Sequence, residues 1–208
     1  MVTSFGKSIY VETRMLPVTL HGKLHLLMQA IDLSESQRIE EELRHLAFHD
    51  ALTLLPNRRL LIEFLKRALL ASKRSGSRMA VLFLDLNKFK QLNDTHGHDT
   101  GDLLLVEVAR RLKHLVRETD MVARLGGDEF VILLEGLGTT ADAAEMYAES
   151  VKHKVCQALA EDYIFGSIRH RGSASVGVKM IEEGDTDPDQ IIKDADTAMY
   201  LEKRSRTA

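Results

Sequence analysis

The sequence predicts an α/β (α+β) sandwich in which helices flank a central mixed β-sheet. A continuous apolar run at residues 79–84 is typical of a strand that is covered on both faces. Two β-rich runs, on either side of Gly126 and Gly127, indicate a β-hairpin. Helical and strand-like patterns alternate around that hairpin, which favours a layered arrangement of sheet and helices. With 208 residues, the chain is long enough for one well-packed domain plus an appendage.

The composition excludes several classes of protein. A hydrophobic content of 44% and a charged content of 28% are those of an ordinary globular protein. A net charge of -3 gives no sign of a nucleic-acid partner or of a polybasic membrane surface. The single cysteine, Cys156, excludes an intramolecular disulfide, suits a cytoplasmic location and is predicted to be a buried, inert thiol. No apolar run approaches about 18 residues, so we expect no membrane segment within this chain, although an anchor could precede it in a longer protein.

Residues 1–33 are predicted to form two strands joined by a turn at His21 and Gly22. The first strand is indicated by alternation: Ile9, Val11, Thr13 and Met15 would lie on one face, and Tyr10, Glu12 and Arg14 on the other. The second strand covers residues 24–31. Two strands alone are marginal as an independent fold. The string GKSIYVETRMLPVTLHGKLHLLMQAIDLSE resembles the last two strands of a PAS sensor domain and its exit into a helix. The alternative is a hairpin that is unrelated to PAS domains and packs on the next domain.

Residues 34–48 are predicted to form a linker helix. Ser34 and Gln37 fit a capping box at its start. Apolar residues then recur at spacings of four and three, the pattern of a short coiled-coil seam: Ile39, Leu43 and Leu46. The pattern leaves two interpretations open, a dimerising signal helix or an amphipathic helix packed on its own domain.

A second helix is predicted to begin after Pro56 and Asn57, to run to about Ser75 and to end at Gly76. The side chains expected on its buried face recur at helical spacing: Leu60, Leu61, Phe64, Leu65, Ala68 and Leu69. The strand at residues 79–84 follows this helix.

The remaining elements surround the hairpin. Asp85 is expected to end the strand, and Thr100 or Gly101 to open a long helix. The inward side chains of that helix are predicted to be Leu104, Val108, Leu112 and Leu115. Beyond the hairpin, the patterns predict a helix, a strand and a final helix: residues 141–160, 173–180 and 188–203.

The hairpin carries the first half of a candidate site. Both glycines can adopt positive φ without a Cβ clash, so Gly126 and Gly127 are predicted to form a tight turn that a ligand can approach closely. Asp128 and Glu129 follow at once and offer the carboxylate oxygens that Mg²⁺ prefers. The alternative is an ordinary hairpin with a solvated acidic tip.

Residues 84–102 are unusually polar for a stretch between a core strand and a core helix. A carboxylate at the end of a buried strand, such as Asp85, is costly unless it is paired, and a cation shared with Asp128 would meet that need. The Leu86 carbonyl would add a neutral ligand. The backbone N–H groups of Lys88, Phe89 and Lys90 are predicted to lie where a turn enters a short helix, a position suited to binding phosphate. The Lys90 side chain adds a positive charge. Asp85 as a cap of the following turn is the alternative.

Asn93 and Asp102 indicate selection of a guanine base. Guanine presents a carbonyl acceptor beside ring and exocyclic N–H donors, so an amide nitrogen can donate to the first and a carboxylate can accept from the others. Adenine would leave both groups unpaired, at a large cost in binding free energy. Each residue could instead be a turn or helix cap.

Together these segments resemble the GGDEF-domain family, the diguanylate cyclases that condense two GTP into cyclic di-GMP. The motifs that carry the resemblance are DALTLLPNRR, DLNKFKQLNDTHGHDTGD, RETDMVARLGGDEF, SASVGV and DADTAMYLEK, in that order. The resemblance runs from about residue 49 to residue 203, roughly three quarters of the chain. The resemblance implies a fold similar to that of nucleotidyl cyclases and polymerase palm domains. It also implies a catalytic homodimer, because one such domain holds one GTP and two must meet.

The family's metal and catalytic roles carry over to matching positions. Asp85, the Leu86 carbonyl and Asp128 would hold Mg²⁺, with Mn²⁺ as a possible substitute, and Asp128 is also the family's proposed general base. Glu129 belongs to the same signature. The bound metals would activate the 3′-hydroxyl of one GTP for in-line attack on the α-phosphate of the other.

The resemblance also implies binding roles. The residues implied to contact GTP are Asn93 and Asp102 at guanine, with Lys88, Phe89, Lys90, Gly126, Gly127 and Lys203 around the rest of the nucleotide. Arg117 and Asp120, within RETD, match the family's RxxD site, at which cyclic di-GMP inhibits its own synthesis. A helix end, with an arginine near the negative end of the dipole, is the alternative.

Four positions depart from the family's pattern. Leu54 replaces a frequent glycine, and Asn87 replaces a frequent second aspartate. Glu202 stands where alanine is usual, and Thr207 where an arginine is frequent. Two nearby arginines are candidate substitutes for the last: Arg204 and Arg206.

The predicted organisation is a truncated PAS-like segment at residues 1–33, a linker helix at 34–48 and a GGDEF domain at 49–208. Three alternatives to a diguanylate cyclase stay open. The domain could bind GTP or cyclic di-GMP without turnover and regulate a neighbour. It could be the regulatory half of a protein that degrades cyclic di-GMP. A nucleotidyl transferase that uses ATP is the third, and it conflicts with the guanine pair.

Overall fold

The computed structural model describes residues 10–205, apart from the side chains at 20, 36, 37, 40 and 41. The chain divides into two compact units, Met1–Ala47 and Phe48–Ala208. Four positions of the sequence predictions lie outside the described part: Ile9, the Gln37 side chain and with it the capping box, Arg206 and Thr207.

The first unit contains a hairpin, β1 (Val11–Leu20) and β2 (Lys23–Asp32), followed by all but the last residue of a helix, α1 (Ser34–Phe48). The strands are antiparallel. They are joined at His21 (φ 50°) and Gly22 (φ 74°), as a two-residue hairpin turn requires. The predicted strands and turn are therefore confirmed.

At the start of α1, the Asp32 carboxylate accepts a hydrogen bond from the Ser34 N–H at 2.9 Å, and the Ser34 hydroxyl accepts one from the Tyr10 N–H at 3.0 Å. The apolar positions of the predicted seam are all exposed within the structure: Ile39, Leu43 and Leu46.

The second unit is built on a four-stranded sheet with helices on both faces. Its elements in chain order are α2 (Arg58–Ser75), β3 (Met79–Leu86), α3 (Phe89–His96), α4 (His98–Leu115), β4 (Met121–Gly126), β5 (Glu129–Leu134), α5 (Ala141–Leu159), β6 (Asp162–Phe165), β7 (Ile168–Arg171), β8 (Ala174–Ile181) and α6 (Pro188–Ser205).

The sheet order is β4-β5-β3-β8, with β6 and β7 forming a separate hairpin. Each crossover through α4 or α5 skips one strand, so the strands it joins are not neighbours. Every neighbouring pair of the four strands is consequently antiparallel. This β-α-β-β-α-β arrangement confirms the predicted α+β fold. The mixed sheet expected from alternating helices and strands has only antiparallel neighbours. The two strands that run in the same direction in each case, β4 with β3 and β5 with β8, are separated by a strand that runs in the opposite direction.

The central strand β3 is covered on both faces, as its continuous apolar run predicted. Ala80, Leu82 and Leu84 pack on the face covered by α4 and α5. Val81 and Phe83 pack on the face covered by α2 and α6. Each large apolar side chain buried in this way contributes roughly 1.5–3 kcal/mol to folding. The strand that ends in Asp85 is therefore anchored in two cores at once.

Several sequence-based boundaries were wrong. β3 continues through Asp85 to Leu86, because its ladder with β8 extends to that residue. α4 begins at His98 rather than at Thr100 or Gly101. The side chain of Phe64 is 38% exposed, so it does not belong to the buried stripe of α2.

The β6–β7 hairpin was missed, because its four-residue strands are too short and too polar for a period-two pattern. The other predicted helices match α2, α5 and α6 closely, and Gly76 ends α2 with φ 70° and its N–H bonded to Ser72. Among the described residues, none of the helices is both long enough and apolar enough to cross a membrane.

Candidate active site

The glycine hairpin is displaced by one residue from its predicted position. The turn between β4 and β5 consists of Gly127 and Asp128, and Gly126 is the last residue of β4. A bulge between Arg124 and Gly126 shifts the register. Gly126 (φ 146°) and Gly127 (φ 52°) still need glycine's freedom, and a Cβ added at either would meet no described atom within 4 Å. The glycines therefore leave open space in front of the turn.

Asp85 and Asp128 are brought together where β3 and β5 run side by side. The Leu86 N–H donates to the Asp128 carbonyl at 3.3 Å, and Asp85 lies opposite Glu129 in the ladder. Burial raises the pKa of Asp128, and the negative charge of Asp85 raises it further. Partial loss of solvent around the exposed Glu129 also raises the pKa of its carboxyl, with contributions from Asp196, Asp128 and Asp85. The turn is thus a local concentration of negative charge.

Lys203 of α6 supplies positive charge to this cluster. Its Nζ lies 2.5 Å from Asp85 Oδ1, and the Lys203 side chain is 42% exposed against 19% for Asp85. The Lys203 charge also lowers the pKa of Asp128, which partly opposes the effects of burial and of Asp85. One ammonium group therefore faces two carboxylates, and the cluster can accommodate further cationic charge.

The donor set fits a magnesium ion that is shared with phosphate. No group of three or more His, Cys, Asp or Glu side chains in the described residues could hold a metal by itself. Mg²⁺ is commonly held by one or two carboxylates, with water and substrate phosphates completing its shell. Asp85, Asp128 and the Leu86 carbonyl match that pattern, whereas a dedicated all-protein metal cage does not.

The N-terminus of α3 lies directly beyond this cluster in the chain. Lys88 precedes the helix in the left-handed region (φ 62°, ψ 20°), and no side chain in the described part of the chain caps the helix. The first turn of a helix leaves N–H groups without intrahelical partners, here those of Phe89 and Lys90. The Lys90 side chain is exposed. The helix start that the sequence predicts as a phosphate site therefore has uncapped N–H groups and follows the carboxylate Asp85 closely in the chain.

Asn87 has a structural partner that explains its departure from the family's pattern. Its Nδ2 donates to Ser173 Oγ at 3.1 Å, and its Oδ1 accepts from Ser175 Oγ at 2.9 Å. Its backbone N–H also donates to the Ser173 carbonyl at 2.9 Å. An amide can both donate and accept, so Asn87 fastens the end of β3 to β8.

Asn93 and Asp102 lie on α3 and α4, which pack against each other. Asn93 Oδ1 is buried and has no hydrogen-bond partner among the described residues. Asp102 is exposed on α4, next to Gly101, which faces the Asn93 amide. The structure thus brings the two predicted base-reading residues onto adjoining helices.

The RETD segment forms a hydrogen-bonded turn between α4 and β4. Asp120 Oδ2 accepts from the Arg117 N–H at 3.1 Å, and Asp120 Oδ1 accepts from the Glu135 N–H at 3.2 Å. The Arg117 guanidinium lies over the Tyr147 ring, 4.4 Å from its centroid. Arg117 and Asp120 line a groove of about 470 Å³, whose apolar wall includes Leu54.

Sequence reasoning missed a buried arginine behind the turn. Arg124, 9% exposed, donates from Nε and Nη2 to the Gly127 carbonyl at 3.1 and 2.8 Å, and from Nη1 to Asp50 Oδ1 at 2.8 Å. Although burial alone would raise the pKa of Asp50, hydrogen bonds from Thr53 and Arg124 lower it overall. Both residues lie within recognised motifs, but only the structure shows that they form one network around the turn.

Glu202, another departure, also has a structural partner. Its Oε2 lies 2.6 Å from Lys152 Nζ of α5, and both side chains are about four-fifths buried, with exposures of 19% and 21%. The ion pair links α5 to the residue before Lys203 on α6. The glutamate therefore helps to fix the end of the helix that carries the site's lysine.

The antiparallel β-α-β-β-α-β sheet and the paired acidic strand ends define an α+β domain whose site suits a cation and phosphate. The family model described as "Diguanylate cyclase, GGDEF domain" matches residues 47–208. The chain belongs to this family of diguanylate cyclases, whose setting is cyclic di-GMP signalling.

Known proteins and solved structures agree with that assignment. The chain is 43% identical over 166 residues to the bifunctional diguanylate cyclase/cyclic di-GMP phosphodiesterase MucR of Pseudomonas aeruginosa, a match that covers 80% of this chain and 23% of MucR. A sensory box/GGDEF family protein from Caulobacter crescentus superimposes with a TM-score of 0.71 at 35% identity, covering 76% of this chain and 99% of that one. The coiled coil and GGDEF domain of DgcB from Caulobacter crescentus, solved in complex with c-di-GMP, has a TM-score of 0.70 at 26% identity, covering 82% and 90%. The chain therefore spans about a quarter of the length of MucR.

Proposed function

We propose that this chain is a diguanylate cyclase that condenses two GTP into cyclic di-GMP and two pyrophosphates. The observation that carries the proposal is the pairing of Asp85 and Asp128 at adjoining strand ends, beside the uncapped start of α3. Carboxylates and open N–H groups together suit a magnesium-bound triphosphate. Because GTP is the substrate, we place the reaction in the cytoplasm.

The acidic residues hold the metal and move the proton. Asp85, Asp128 and the Leu86 carbonyl are the ligands; when bound, Mg²⁺ would neutralise phosphate charge and lower the pKa of the attacking hydroxyl. Asp128 also accepts the proton of that 3′-hydroxyl at a carboxylate oxygen. Glu129 is exposed at the turn and adds negative charge to it.

The surrounding residues bind and orient GTP. The N–H groups of residues 88–90 and the ammonium groups of Lys90 and Lys203 contact the triphosphate, which releases Lys203 from its pairing with Asp85. The open space at Gly126 and Gly127 admits the nucleotide to the turn. Asn93 and Asp102 read the guanine edge.

A homodimer completes the reaction, because each chain provides one nucleotide site and each new bond joins two nucleotides. Two chains must therefore face each other with a GTP bound to each. The exposed seam of α1, formed by Ile39, Leu43 and Leu46, is the surface that we assign to dimerisation.

Product inhibition acts through the RETD turn. Arg117 is already oriented by its stacking on Tyr147, and its planar guanidinium can grip a phosphate or a guanine edge. Asp120 can accept from guanine N–H groups in addition to its backbone contacts. Calorimetric titration of cyclic di-GMP into the wild type and the Arg117→Ala variant tests this part. Equal affinity in the two proteins would contradict it.

The proposed enzyme activity is tested by removing each carboxylate charge. Asp85→Asn and Asp128→Asn keep the size and shape of the side chain, so both variants are expected to keep the wild-type circular dichroism spectrum and to lose cyclic di-GMP synthesis. Glu183→Gln, which removes an exposed carboxylate outside the site, is the matched control and should retain full synthesis. Near-normal synthesis by either aspartate variant at saturating Mg²⁺ would refute the metal assignment.

A further inference from the structure

Gly101 forms a notch in α4 that houses the side-chain amide of Asn93. A Cβ placed on Gly101 would lie 1.9 Å from Asn93 Oδ1 and 2.9 Å from Asn93 Cγ, closer than any two such atoms approach in proteins. Glycine within a helix is less favourable than alanine by up to ~1 kcal/mol. α4 thus carries a residue of lower helix propensity at a position where a methyl group would collide with this amide.

The notch also sets the direction of the amide. Of the amide's atoms, the oxygen lies nearest to the position of the added Cβ and the nitrogen farthest, at 3.3 Å. The oxygen is buried without a hydrogen-bond partner among the described residues. With the oxygen held against Gly101, Asn93 Nδ2 lies on the side of the amide that is farther from the notch.

We propose that Gly101 is a positioning residue that determines base specificity. This inference rests on the guanine site of the proposed function. By holding the Asn93 oxygen inward, Gly101 presents an N–H donor to the bound base. That donor pairs with the carbonyl of guanine and is left unpaired against the amino group of adenine. A reversed amide would present an acceptor, which would suit adenine instead.

The test is the Gly101→Ala variant, assayed with the α,β-methylene analogues of GTP and ATP, which bind but do not react at the α-phosphate. The added methyl group displaces the tip of a flexible side chain rather than backbone, so the melting temperature should equal or exceed that of the wild type. Loss of the oriented donor should raise the Kd of the GTP analogue about tenfold, while the Kd of the ATP analogue should change little. Val106→Ala, at an exposed position on the same helix, should leave both Kd values unchanged.

A double-mutant cycle with Asn93→Ala separates this inference from the proposed function. If Asn93→Ala leaves the preference for the GTP analogue intact, the guanine site itself is wrong. If Asn93→Ala abolishes the preference and Gly101→Ala retains it, the guanine site stands and the role of Gly101 is overturned. We expect Gly101→Ala to have no further effect once Asn93 is alanine, because the methyl group acts only through the amide. Should Gly101→Ala fail to fold, the double variant must restore folding, and failure to do so would overturn the proposal.

Discussion

Replacing Arg124 by methionine removes the hydrogen bonds and the ion pair that connect the glycine hairpin to the loop at Asp50. Methionine keeps an unbranched apolar stem but is shorter than arginine and has none of its donors. The variant leaves the Gly127 carbonyl without two hydrogen bonds and Asp50 without its charged partner. We therefore expect a marked loss of stability, with the hairpin affected first.

The size of this loss can be worked out from burial. The Arg124 side chain is 9% exposed and that of Asp50 is 22% exposed, so the pair is largely removed from water. Breaking a buried ion pair by removing one partner costs about 3–5 kcal/mol. In a chain of this size, each kcal/mol lowers the melting temperature by about 2–4 °C, which gives a decrease of roughly 6–20 °C. Lysine at this position keeps the charge but lacks the planar fork of donors that joins Asp50 to the Gly127 carbonyl, so Arg124→Lys should be less stable than the wild type and more stable than Arg124→Met.

The assay is urea denaturation followed by circular dichroism, because the chain contains no tryptophan. Asp50→Asn and the double variant complete a thermodynamic cycle, and we expect a coupling free energy of at least about 1.5 kcal/mol between the two side chains. A loss below about 1 kcal/mol for Arg124→Met, or additive effects in the cycle, would show that the network does not hold the hairpin.

Three further predictions concern other parts of the second unit. Gly177→Ala would place its Cβ 2.1 Å from the Met199 backbone nitrogen. The packing of β8 against α6 should therefore lose more than ~3 kcal/mol of stability, and soluble expression should be abolished. A soluble variant with the wild-type melting temperature would contradict this packing. The hydrogen bond from Arg110 lowers the pKa of Glu107 to about 2, below its ordinary 4.5, so Glu107 stabilises the fold above pH 4.5 and loses this effect as the pH falls towards 2. Glu107→Gln should therefore be less stable than the wild type by about 1 kcal/mol at pH 7, after solvent screening, and equally stable near pH 2; a difference independent of pH would refute this. Leu54 has φ 58°, a backbone conformation that disfavours leucine by about 1 kcal/mol. Leu54→Gly should therefore not lower the melting temperature. A decrease would show that the exposed leucine side chain stabilises the loop.

The sequence predicted those features of the fold that depend on local pattern. The apolar run of β3 and the leucine spacing of α2 and α4 were sufficient to place these elements, because burial imposes the periods of strands and helices directly. The ends of elements were less accurate. Asp85 is polar yet belongs to β3, since its backbone is held in the ladder with β8 regardless of its side chain.

Part of the candidate site could likewise be predicted from local sequence pattern, and part could not. Asp85 and Asp128 were recognisable as a pair because each lies at one end of an apolar run that the sequence predicts to be a strand. The contacts of Arg124 with Asp50, and of Gly101 with Asn93, join residues on different elements. No period in the sequence encodes such contacts, and only the tertiary structure reveals them. The order of the sheet likewise follows from which strand each crossover skips, a choice made by packing rather than by local propensity.

The central claim is tested most directly by incubating the purified chain with GTP and Mg²⁺ and separating the nucleotides by chromatography. The measurement is made at protein concentrations from well below to well above the dimer dissociation constant. The account predicts cyclic di-GMP and pyrophosphate in a ratio of one to two, with a specific activity that rises as dimers form. GTP that binds but remains unconsumed at every concentration, or a specific activity that stays constant across the range, would contradict it.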